Sequence, residues 1–212
     1  RHGGTWRVLP ERFGKHDSVR KRALRWAQKG KWRQLFEAVR VPDLAASMLD
    51  STIDAPISGP VVRVTKRSAD EALGRSRGGL STNLHAAVDA NGRPLALLLG
   101  PGQQADCRRA EELLDEVAAV GKRPHRVVAD KGYDTNALRA RLRRKRIKAV
   151  IPSKKNRKRA RPLDRTWYRH RNRVERLFNR FKDFRRLATR DEKTAVSFWE
   201  LRRYLLLLLV LI

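Results

Sequence analysis

Apolar residues recur at helical spacing near the start of the chain. Between Ser18 and Val39 they lie three or four positions apart, except where Lys-Gly-Lys at 29–31 interrupts the pattern. Amphipathic helices show this spacing, so the pattern predicts two short helices joined by a turn. A basic helix pair either docks in a groove of DNA or only packs against the rest of the protein, and the sequence leaves both interpretations open.

From residue 44 the pattern changes to that of β-strands. The segment LAASMLD (44–50) predicts a buried strand that ends at Asp50 and is followed by a loop. Residues 80–100 contain two strand-like runs on either side of Asn91-Gly92, a dipeptide typical of tight hairpin turns. These two runs are therefore predicted to be antiparallel neighbours in a sheet.

The second half of the chain alternates helix and strand patterns. DCRRAEELLDEVAAV (106–120) has apolar residues at helical period, and its first aspartate is the expected N-cap. HRVVAD (125–130) predicts a strand, and the stretch after it predicts a helix capped by Asp134. IKAVIPS (147–153) predicts a last strand, which long helices follow. This order predicts an α/β fold with a mixed sheet flanked by helices.

Residues 168–184 combine a polar stripe with an apolar face. At about 100° per residue, a helix would bring the side chains of this stripe within roughly 60° of one another. The stripe consists of Tyr168, Arg171, Glu175 and Lys182, and the opposite face of Val174, Leu177, Phe178, Phe181 and Phe184. Two interpretations are open. Arg171 and Glu175 form an ordinary surface pair worth about 0.2–0.5 kcal/mol, or the stripe borders a cleft beside the core.

The chain is strongly basic, with 50 lysines and arginines against 22 acids and a net charge of +28. Such an excess indicates a polyanionic partner, and nucleic acid is favoured over an anionic membrane surface. The densest run, 154–161, is expected to stay solvated and mobile until it meets phosphate, although a linker or a solubilising loop would have the same composition. Its basic residues are Lys154, Lys155, Arg157, Lys158, Arg159 and Arg161.

Several classes of site are excluded by the same sequence. The single cysteine, Cys107, permits neither an internal disulfide nor a four-cysteine zinc site, and it fits a reducing compartment. The histidines lack the close spacing of a zinc pair, and there is no phosphate-binding loop of the Walker type. The longest apolar run, YLLLLLVLI (204–212), is shorter than the ~20 residues of a membrane-spanning helix and is expected to be buried at a helix end.

Three carboxylates are candidates for chemistry in this basic chain. Asp50 and Asp130 end predicted strands, and Glu175 belongs to the polar stripe. Carboxylates are the ligands that Mg²⁺ prefers, and a pair of such ions stabilises the attacking and the leaving oxygens in phosphodiester chemistry. The residues therefore favour cleavage or transfer of nucleic-acid strands. Three other acids rank lower as ligands, namely Asp54, Asp89 in the hairpin turn and Asp134 at the helix cap.

Four motifs give the sequence a resemblance to a known family. They are MLDST at 48–52, LGRSRGGLSTNLHAAVD at 73–89, VVADKGYD at 127–134, and the spacing Tyr168-x2-Arg171-x3-Glu175-x6-Lys182. With these motifs the chain, from about Trp6 onward, resembles the DDE transposases of small bacterial insertion sequences, particularly the insertion-sequence-five group. The last spacing is highly specific when it accompanies the other three motifs.

The resemblance implies an RNase H-like fold in which 1–43 is a partial helical DNA-binding segment and 44–212 is the catalytic domain. It implies that Asp50, Asp130 and Glu175 form the catalytic triad and bind Mg²⁺ or Mn²⁺, with two ions expected. The supporting residues that position DNA and phosphate would be Tyr168, Arg171 and Lys182.

Members of this family cut the DNA ends of their element with metal-activated water and then join the freed 3′-hydroxyl to target DNA. The chain is accordingly expected to act on DNA in the bacterial cytoplasm, in association with the nucleoid. A homodimer or a higher multimer on paired DNA ends is expected. Family members usually carry more sequence before the segment that starts this chain, so an extreme N-terminus is expected to be missing.

Three other functions fit parts of the sequence. A non-catalytic nucleic-acid-binding protein needs only the charge, the helix pair and the basic run. A stand-alone metal-dependent nuclease would use the same carboxylates without joining strands. A truncated, inactive transposase would bind DNA without cleaving it.

Overall fold

The computed structural model describes residues 6–39, 41–54, 72, 74–76, 79–119 and 123–183. The first segment contains two 3₁₀ turns, Trp6–Val8 and Glu11–Phe13, and then helices α1 (His16–Gln28) and α2 (Lys31–Val39). Gly30 joins the two helices with a φ of 63°, a conformation that glycine adopts without strain. The prediction of two helices around a turn is confirmed.

Aromatic contacts hold the two N-terminal helices together. The ring centroids of Trp26 and Trp32 lie 5.1 Å apart, and the indole N–H of Trp32 donates to the carbonyl of Ala23 at 3.3 Å. Phe36 on α2 is buried in the same apolar cluster as Val174, far along the chain. The helix pair is therefore packed against the main fold through α2, while most of α1 is exposed.

A mixed sheet forms the centre of the fold. Its strands are β1 (Ser47–Asp54), β2 (Gly74–Ser76), β3 (Gly79–Asp89), β4 (Pro94–Pro101), β5 (Arg126–Ala129) and β6 (Lys148–Val150). Strand β1 lies between β3 and β5, and β3 also pairs with β2 and β4. The pairs that involve β3 are antiparallel, whereas β1, β5 and β6 are parallel to one another. The resemblance implies an RNase H-like mixed sheet, and the observed sheet agrees with it.

Helices cover both faces of this sheet. Successive residues of a strand point to opposite faces, so Met48 and Leu49 belong to different apolar clusters. One face packs against α5 (Arg165–Tyr168) and α6 (Asn172–Lys182), and the other against α3 (Asp106–Ala118) and α4 (Asn136–Arg144). The α6 side of the core contains the buried side chains Met48, Leu84, Val88, Val128, Val174, Leu177, Phe178 and Phe181. The predicted fold class is thus confirmed.

The hairpin between β3 and β4 forms where the sequence predicts it. Gly92 has a φ of 83°, and its backbone N–H donates to the carbonyl of Asp89 at 3.0 Å. The buried Asp89 carboxylate accepts further bonds from the backbone N–H groups of Asn91 at 2.9 Å and Arg93 at 2.8 Å. Asp89 is therefore a structural residue of the turn, as predicted.

Strand β1 is longer than its sequence pattern predicts. The predicted strand ends at Asp50, but the observed strand continues to Asp54, so Asp50 lies in the middle of the strand. The cause is the partner strand, because β3 continues the antiparallel ladder and pairs residues 51–54 with residues 85–82. The predicted position of Asp50 at a strand end is therefore wrong.

Two predicted helix caps are also wrong. The N-cap of α3 is Ala105, and the Asp106 side chain binds residues of the sheet instead. The N-cap of α4 is Thr135, whose hydroxyl accepts from the backbone N–H of Leu138 at 3.2 Å. The Asp134 carboxylate is already bound by arginines, so it is not available to cap the helix.

Some predictions concern residues outside the described ranges. Phe184 and the apolar run 204–212 are among them, as is most of the loop expected after β1. In the ranges given above, no helix combines the length and the apolar composition needed to cross a membrane.

Candidate active site

Asp50 is held in the middle of the sheet with its side chain toward α6. The antiparallel register pairs it with Ala86 of β3. Its side chain is 17% exposed, and its carboxylate accepts a bond from the backbone N–H of Ser51 at 2.9 Å. A partly buried carboxylate in a central strand is oriented by the backbone around it, so its position does not depend on a loop.

Asp130 directly follows the strand next to Asp50. The parallel ladder pairs Leu49 with Ala129 at the last residue of β5, so Asp50 in β1 and Asp130, in extended conformation just after β5, are the next residues after this pair. Adjacent strands lie roughly 4.8 Å apart and side chains alternate between faces, so both carboxylates point to the same face. Asp130 accepts a bond from the backbone N–H of Gly132 at 2.7 Å. A Cβ atom at position 132 would lie 2.9 Å from Asp130 Oδ1, so this close approach requires glycine.

Glu175 reaches this pair from α6 through one arginine. Arg171 donates from one terminal nitrogen to the Asp50 carboxylate at 2.6 Å and from the other to the Glu175 carboxylate. The Glu175 side chain is 47% exposed, so the acids extend from the sheet to the protein surface. Both interpretations of the polar stripe therefore apply in part. Arg171 and Glu175 do form the predicted ion pair, and the same arginine also binds the partly buried carboxylate of Asp50.

The acids at this site act on one another electrostatically. Burial raises the pKa of Asp50 to about 6, and the negative charges of Asp130 and Glu175 add to the effect, while Arg171 opposes it. Burial would lower the pKa of Arg171, but the charges of Asp50 and Glu175 outweigh burial and raise it above its ordinary value. The charges of Asp130 and Glu175 thus act on Asp50, and Arg171 supplies positive charge between Asp50 and Glu175.

The fit of a metal ion depends on this arginine. Across the ranges that the structure describes, no three His, Cys, Asp or Glu side chains are grouped closely enough to hold a metal ion. At this site the guanidinium of Arg171 bridges Asp50 and Glu175. The donors themselves suit a hard divalent cation, because they are carboxylates whose mutual repulsion contributes to the raised pKa of Asp50. A cation bound here would share or replace the contacts of Arg171.

The other two residues of the polar stripe lie before and after Arg171 and Glu175 along the chain. Tyr168 is half-buried and packs against the core on this face. Lys182 is exposed at the end of α6, about two helical turns beyond Glu175. A 3₁₀ turn, Arg169–Arg171, separates Tyr168 from α6, so the stripe does not lie on one continuous α-helix as its spacing predicts.

The chain matches a known protein family over most of its length. The family model described as Transposase DDE domain matches residues 59–210. The chain belongs to this family. The matched range of the DDE transposase contains Asp130 and Glu175, and Asp50 precedes it.

Two insertion-sequence proteins are similar to this DDE transposase. A Brucella ovis protein named as a transposase for insertion sequence element IS6501 is 39% identical over 121 residues, which are 56% of this chain and 89% of that protein. A Burkholderia cepacia protein named as a transposase for insertion sequence element IS402 is 33% identical over 118 residues, which are 52% of this chain and 54% of that protein. The chain therefore spans most of the first relative and about half of the second.

Solved structures of Mos1 transposase resemble this DDE transposase weakly. The Mos1 paired-end complex with left transposon end gives a TM-score of 0.35 at 10% identity, and the match covers 86% of this chain and 59% of that one. The Mos1 strand transfer complex gives a TM-score of 0.35 at 13% identity, with 87% and 59% covered. The matches thus cover about three fifths of the Mos1 chain.

On the opposite face of the sheet, the transposase buries a second polar cluster. The Asp106 carboxylate accepts from the Ser51 hydroxyl at 2.6 Å and from the Asn83 side-chain amide at 3.1 Å. His85 is fully buried, with Nδ1 3.9 Å from Asp106, and burial lowers its pKa to about 4. Because Ser51 follows Asp50 in β1, this cluster supports the backbone that carries the catalytic candidate.

One feature of the sequence indicates this cluster, although the prediction of helices and strands does not use it. Asn83 and His85 are polar and two positions apart in an otherwise apolar strand, so they share one face of the sheet. Their partner Asp106 follows the loop after β4, and its position at the start of a helix favours a cap. Only the packing of α3 on β1 and β3 brings the three side chains together.

The basic run 154–161 of the transposase is anchored to the fold by Asp134. Arg157 donates to the two oxygens of this carboxylate at 2.7 and 2.8 Å, and the backbone N–H of Lys154 donates at 2.9 Å. Arg139 binds the same carboxylate at 2.6 Å. Burial would raise the pKa of Asp134, but these hydrogen bonds outweigh it and lower the pKa to about 2. The expectation that the whole run is solvated is therefore wrong for Arg157, which is 16% exposed.

Five of the six basic residues of this run border a groove. Its volume is about 610 Å³, and its cationic lining comprises Lys154, Arg157, Lys158, Arg159 and Arg161. Asp134 also borders the groove, but two arginines balance its charge. Lys155, Lys158, Arg159 and Arg161 are exposed. The transposase therefore presents a strongly positive concave surface beside α4, which suits the phosphates of a nucleic acid.

Proposed function

We propose that this DDE transposase cleaves the DNA ends of its insertion element and transfers the freed 3′-hydroxyl ends into target DNA, in a reaction that depends on a divalent metal ion. Asp50, Asp130 and Glu175 are the proposed catalytic residues and metal ligands. The observation that carries the proposal is that Asp50 and Asp130 directly follow Leu49 and Ala129, which pair on parallel strands, with Glu175 joined to Asp50 through Arg171. Membership of the transposase DDE domain family supports the same chemistry.

Mg²⁺ or Mn²⁺, as a pair of ions, is the proposed cofactor. Ions held by these carboxylates would activate the attacking oxygen and stabilise the charge that develops on the phosphate. Asp50 lies within β1, Asp130 directly follows β5, and Glu175 of α6 is linked to Asp50 through Arg171, an arrangement that supports this assignment. The backbone N–H of Gly132 orients the Asp130 carboxylate, which keeps one ligand in place before any ion binds.

The DNA backbone is proposed to lie across the carboxylates and along the basic groove. Tyr168, Arg171 and Lys182 would contact the phosphates nearest to the cleaved bond. Phosphates farther along the DNA would be neutralised by the basic residues of the run, namely Lys154, Lys155, Lys158, Arg159 and Arg161. Arg157, whose guanidinium binds Asp134, is proposed to shape this surface by holding the run against α4.

Residues 1–43 are proposed to be a helical DNA-binding segment and residues 44–212 the catalytic domain. The exposed, basic surface of α1 supports the first assignment, and the acids on the sheet support the second. Two paired DNA ends would require at least two copies, so a homodimer or higher multimer on DNA is proposed. The proposed location is the bacterial cytoplasm at the nucleoid, where such DNA is accessible.

Nicking of supercoiled plasmid by the purified chain tests this function. Mg²⁺ or Mn²⁺ should produce nicked plasmid, and EDTA should prevent it. Asp50→Asn, Asp130→Asn and Glu175→Gln should each abolish nicking, while DNA binding stays near that of the wild type or becomes tighter because a negative charge near phosphate is lost. Asp183→Asn is the matched control, since this exposed acid follows α6 directly, and it should nick normally.

The outcomes separate the alternatives. Nicking that persists in all three variants would exclude these carboxylates as the catalytic site. Joining of precut, labelled ends to a target plasmid is expected of a transposase, whereas a nuclease of the same fold would cleave and never join. Metal-independent binding with no cleavage by the folded chain would leave a DNA-binding protein, a function that the bridge of Arg171 between the acids would also permit.

A further inference from the structure

A groove with an aromatic wall lies between α1 and α2. Its volume is about 650 Å³, a size typical of sites that take up a small organic group. Trp26 lines it and is 41% exposed, and Leu35 from α2 is 44% exposed beside it. Part of the groove surface is therefore apolar and accessible to a ligand.

The rim of the groove is positively charged. Arg22, Arg25 and Lys29 come from α1 and the turn, and Lys31 comes from α2. The residues that line the groove include no Asp or Glu. Acids do occur on these helices, but they pair outside the groove, Asp17 with Arg20 and Glu37 with Arg33.

The indole of Trp26 is held in place before any ligand binds. Its ring centroid lies 5.1 Å from that of Trp32, with the two planes tilted by 56°. Trp32 is itself fixed by the bond from its indole N–H to the carbonyl of Ala23. An aromatic side chain that is already ordered loses little conformational freedom when a flat ligand stacks on it.

We propose that this groove binds an unpaired base of a DNA strand, stacked on Trp26, with the adjoining phosphates held by the cations of the rim. Aromatic side chains bind bases by stacking, and basic residues around them neutralise the sugar-phosphate backbone. In a duplex both faces of each base are covered by its neighbours, so only an unpaired or extruded base offers a free face. A protein partner would have to present acids to all four rim cations around the apolar groups, whereas consecutive phosphates of a strand supply negative charge on either side of every base.

This site is distinct from the carboxylates, and its test needs no catalysis. Binding of a short labelled single strand, and of the same strand in a blunt duplex, is measured by fluorescence anisotropy in EDTA. Trp26→Leu should weaken binding of the single strand by about tenfold, the usual effect of losing one stacked base, and should leave the duplex almost unaffected. Trp26→Phe retains an aromatic ring and should keep most of the affinity.

A second variant protects the test against misfolding. Trp26 contacts Trp32, so circular dichroism must show that Trp26→Leu retains its helices. If it does not, the double variant Arg22→Gln and Arg25→Gln takes its place. This variant should bind the single strand more weakly than the wild type, and its binding should depend less on salt concentration. Lys21→Gln is the matched control, because Lys21 is exposed on α1 but does not line the groove.

Two results would overturn the proposal. One is a folded Trp26→Leu, or the double variant in its place, that binds the single strand as tightly as the wild type. The other is a change in oligomeric state on sedimentation of Trp26→Leu without loss of strand binding, which would make the groove a contact between protein copies. Because the assay contains EDTA, neither result depends on whether the carboxylates catalyse cleavage.

Discussion

The guanidinium of Arg171 donates a bond of 2.6 Å to the carboxylate of Asp50, which lies 121 residues earlier in the chain. Its other terminal nitrogen binds Glu175, so one side chain connects the central strand with α6. Removal of the charged partner of a partly buried carboxylate destabilises a fold, because the carboxylate is left without compensation. Arg171 therefore stabilises two acids that repel each other, and it occupies contacts that a metal ion at this site would need.

Replacing this arginine should make the stability of the protein more dependent on a bound metal ion. Arg171→Gln should lower the free energy of unfolding by about 1–3 kcal/mol without metal, because Asp50 loses a charged hydrogen bond. Added Mn²⁺ should raise the melting temperature of the variant more than that of the wild type, because the ion no longer competes with a guanidinium. Thermal unfolding by circular dichroism measures both effects.

Arg176→Gln is the control for this experiment, since Arg176 is an exposed arginine of α6, the helix that directly follows Arg171, and it should change neither the unfolding free energy nor the effect of Mn²⁺. Equal stabilisation of wild type and Arg171→Gln by Mn²⁺ would mean that the arginine and the ion do not share the carboxylates.

The basic run contains two functionally different kinds of residue. Lys158→Gln removes an exposed cation, so it should weaken binding to all DNA sequences alike and reduce the slope of log K against log salt by about 0.9 if one phosphate contact is lost. Arg157→Gln should instead lower the melting temperature, because Asp134 loses two hydrogen bonds. Salt titrations of DNA binding and thermal unfolding distinguish the two. A Lys158→Gln effect confined to one DNA sequence would contradict the phosphate-contact assignment.

Asp134 should make stability depend on pH in the acidic range. Its pKa of about 2 is below the ordinary value of 3.8, so the native state favours the charged form. The stability that it contributes, about 2 kcal/mol, is complete above about pH 4 and is lost as the pH falls toward 2. Urea unfolding between pH 2 and 5 should show this loss in the wild type and much less of it in Asp134→Asn.

Asp115 supplies a matched control for the pH series. It pairs with Arg141, but its side chain is 63% exposed, and exposed pairs contribute little to stability. Asp115→Asn should therefore follow the wild-type curve. An Asp134→Asn curve parallel to the wild-type curve would place the source of the pH dependence elsewhere.

Gly92 should be replaceable only by residues that tolerate its backbone conformation. Its φ of 83° disfavours a branched side chain, and a Cβ atom there would lie 3.4 Å from the Cβ of Arg173 on α6. Gly92→Val should cost about 1–2 kcal/mol, and Gly92→Asn should cost clearly less because asparagine enters this conformation more readily. Denaturant unfolding of the two variants compares them directly. Equal costs would show that contact with Arg173, and not backbone strain, decides the effect.

Elements that are determined by residues close together along the chain were predictable from the sequence. The turn at Gly30 follows from the interrupted helical spacing, and the hairpin at Gly92 follows from a dipeptide that suits the required backbone angles. Helix α3 likewise follows from apolar residues at helical period. In each of these cases the information lies within a short window of the chain.

Predictions failed where a side chain or strand has a distant partner. Asp106 and Asp134 suit helix caps by position, but Ser51 and Arg157 bind them across the fold. The strand through Asp50 extends further because β3 continues to pair with it. Such partners depend on tertiary packing, which local patterns do not encode.

The candidate site was likewise predictable in its local features and not in its long-range contacts. Its acids could be selected from the sequence as carboxylates in a basic chain, and the family motif adds the spacing of Arg171 and Glu175. The position of Asp130 next to Asp50 depends on the parallel register of β1 and β5, which no local pattern contains. Their roles in catalysis and metal binding stay predictions until the variants are assayed.

The two faces of β1 limit how the length of this strand can change. Asp50 points to α6 and Ser51 to the Asp106 cluster, so consecutive residues serve different sides of the sheet. Inserting or deleting one residue before Asp50 within the strand would turn the acid toward α3 and the hydroxyl toward Arg171. A change of two residues would restore the faces but move the acid about 7 Å along the strand, away from Asp130. The chemistry proposed here therefore depends on the length of β1 before Asp50 as well as on the acid itself.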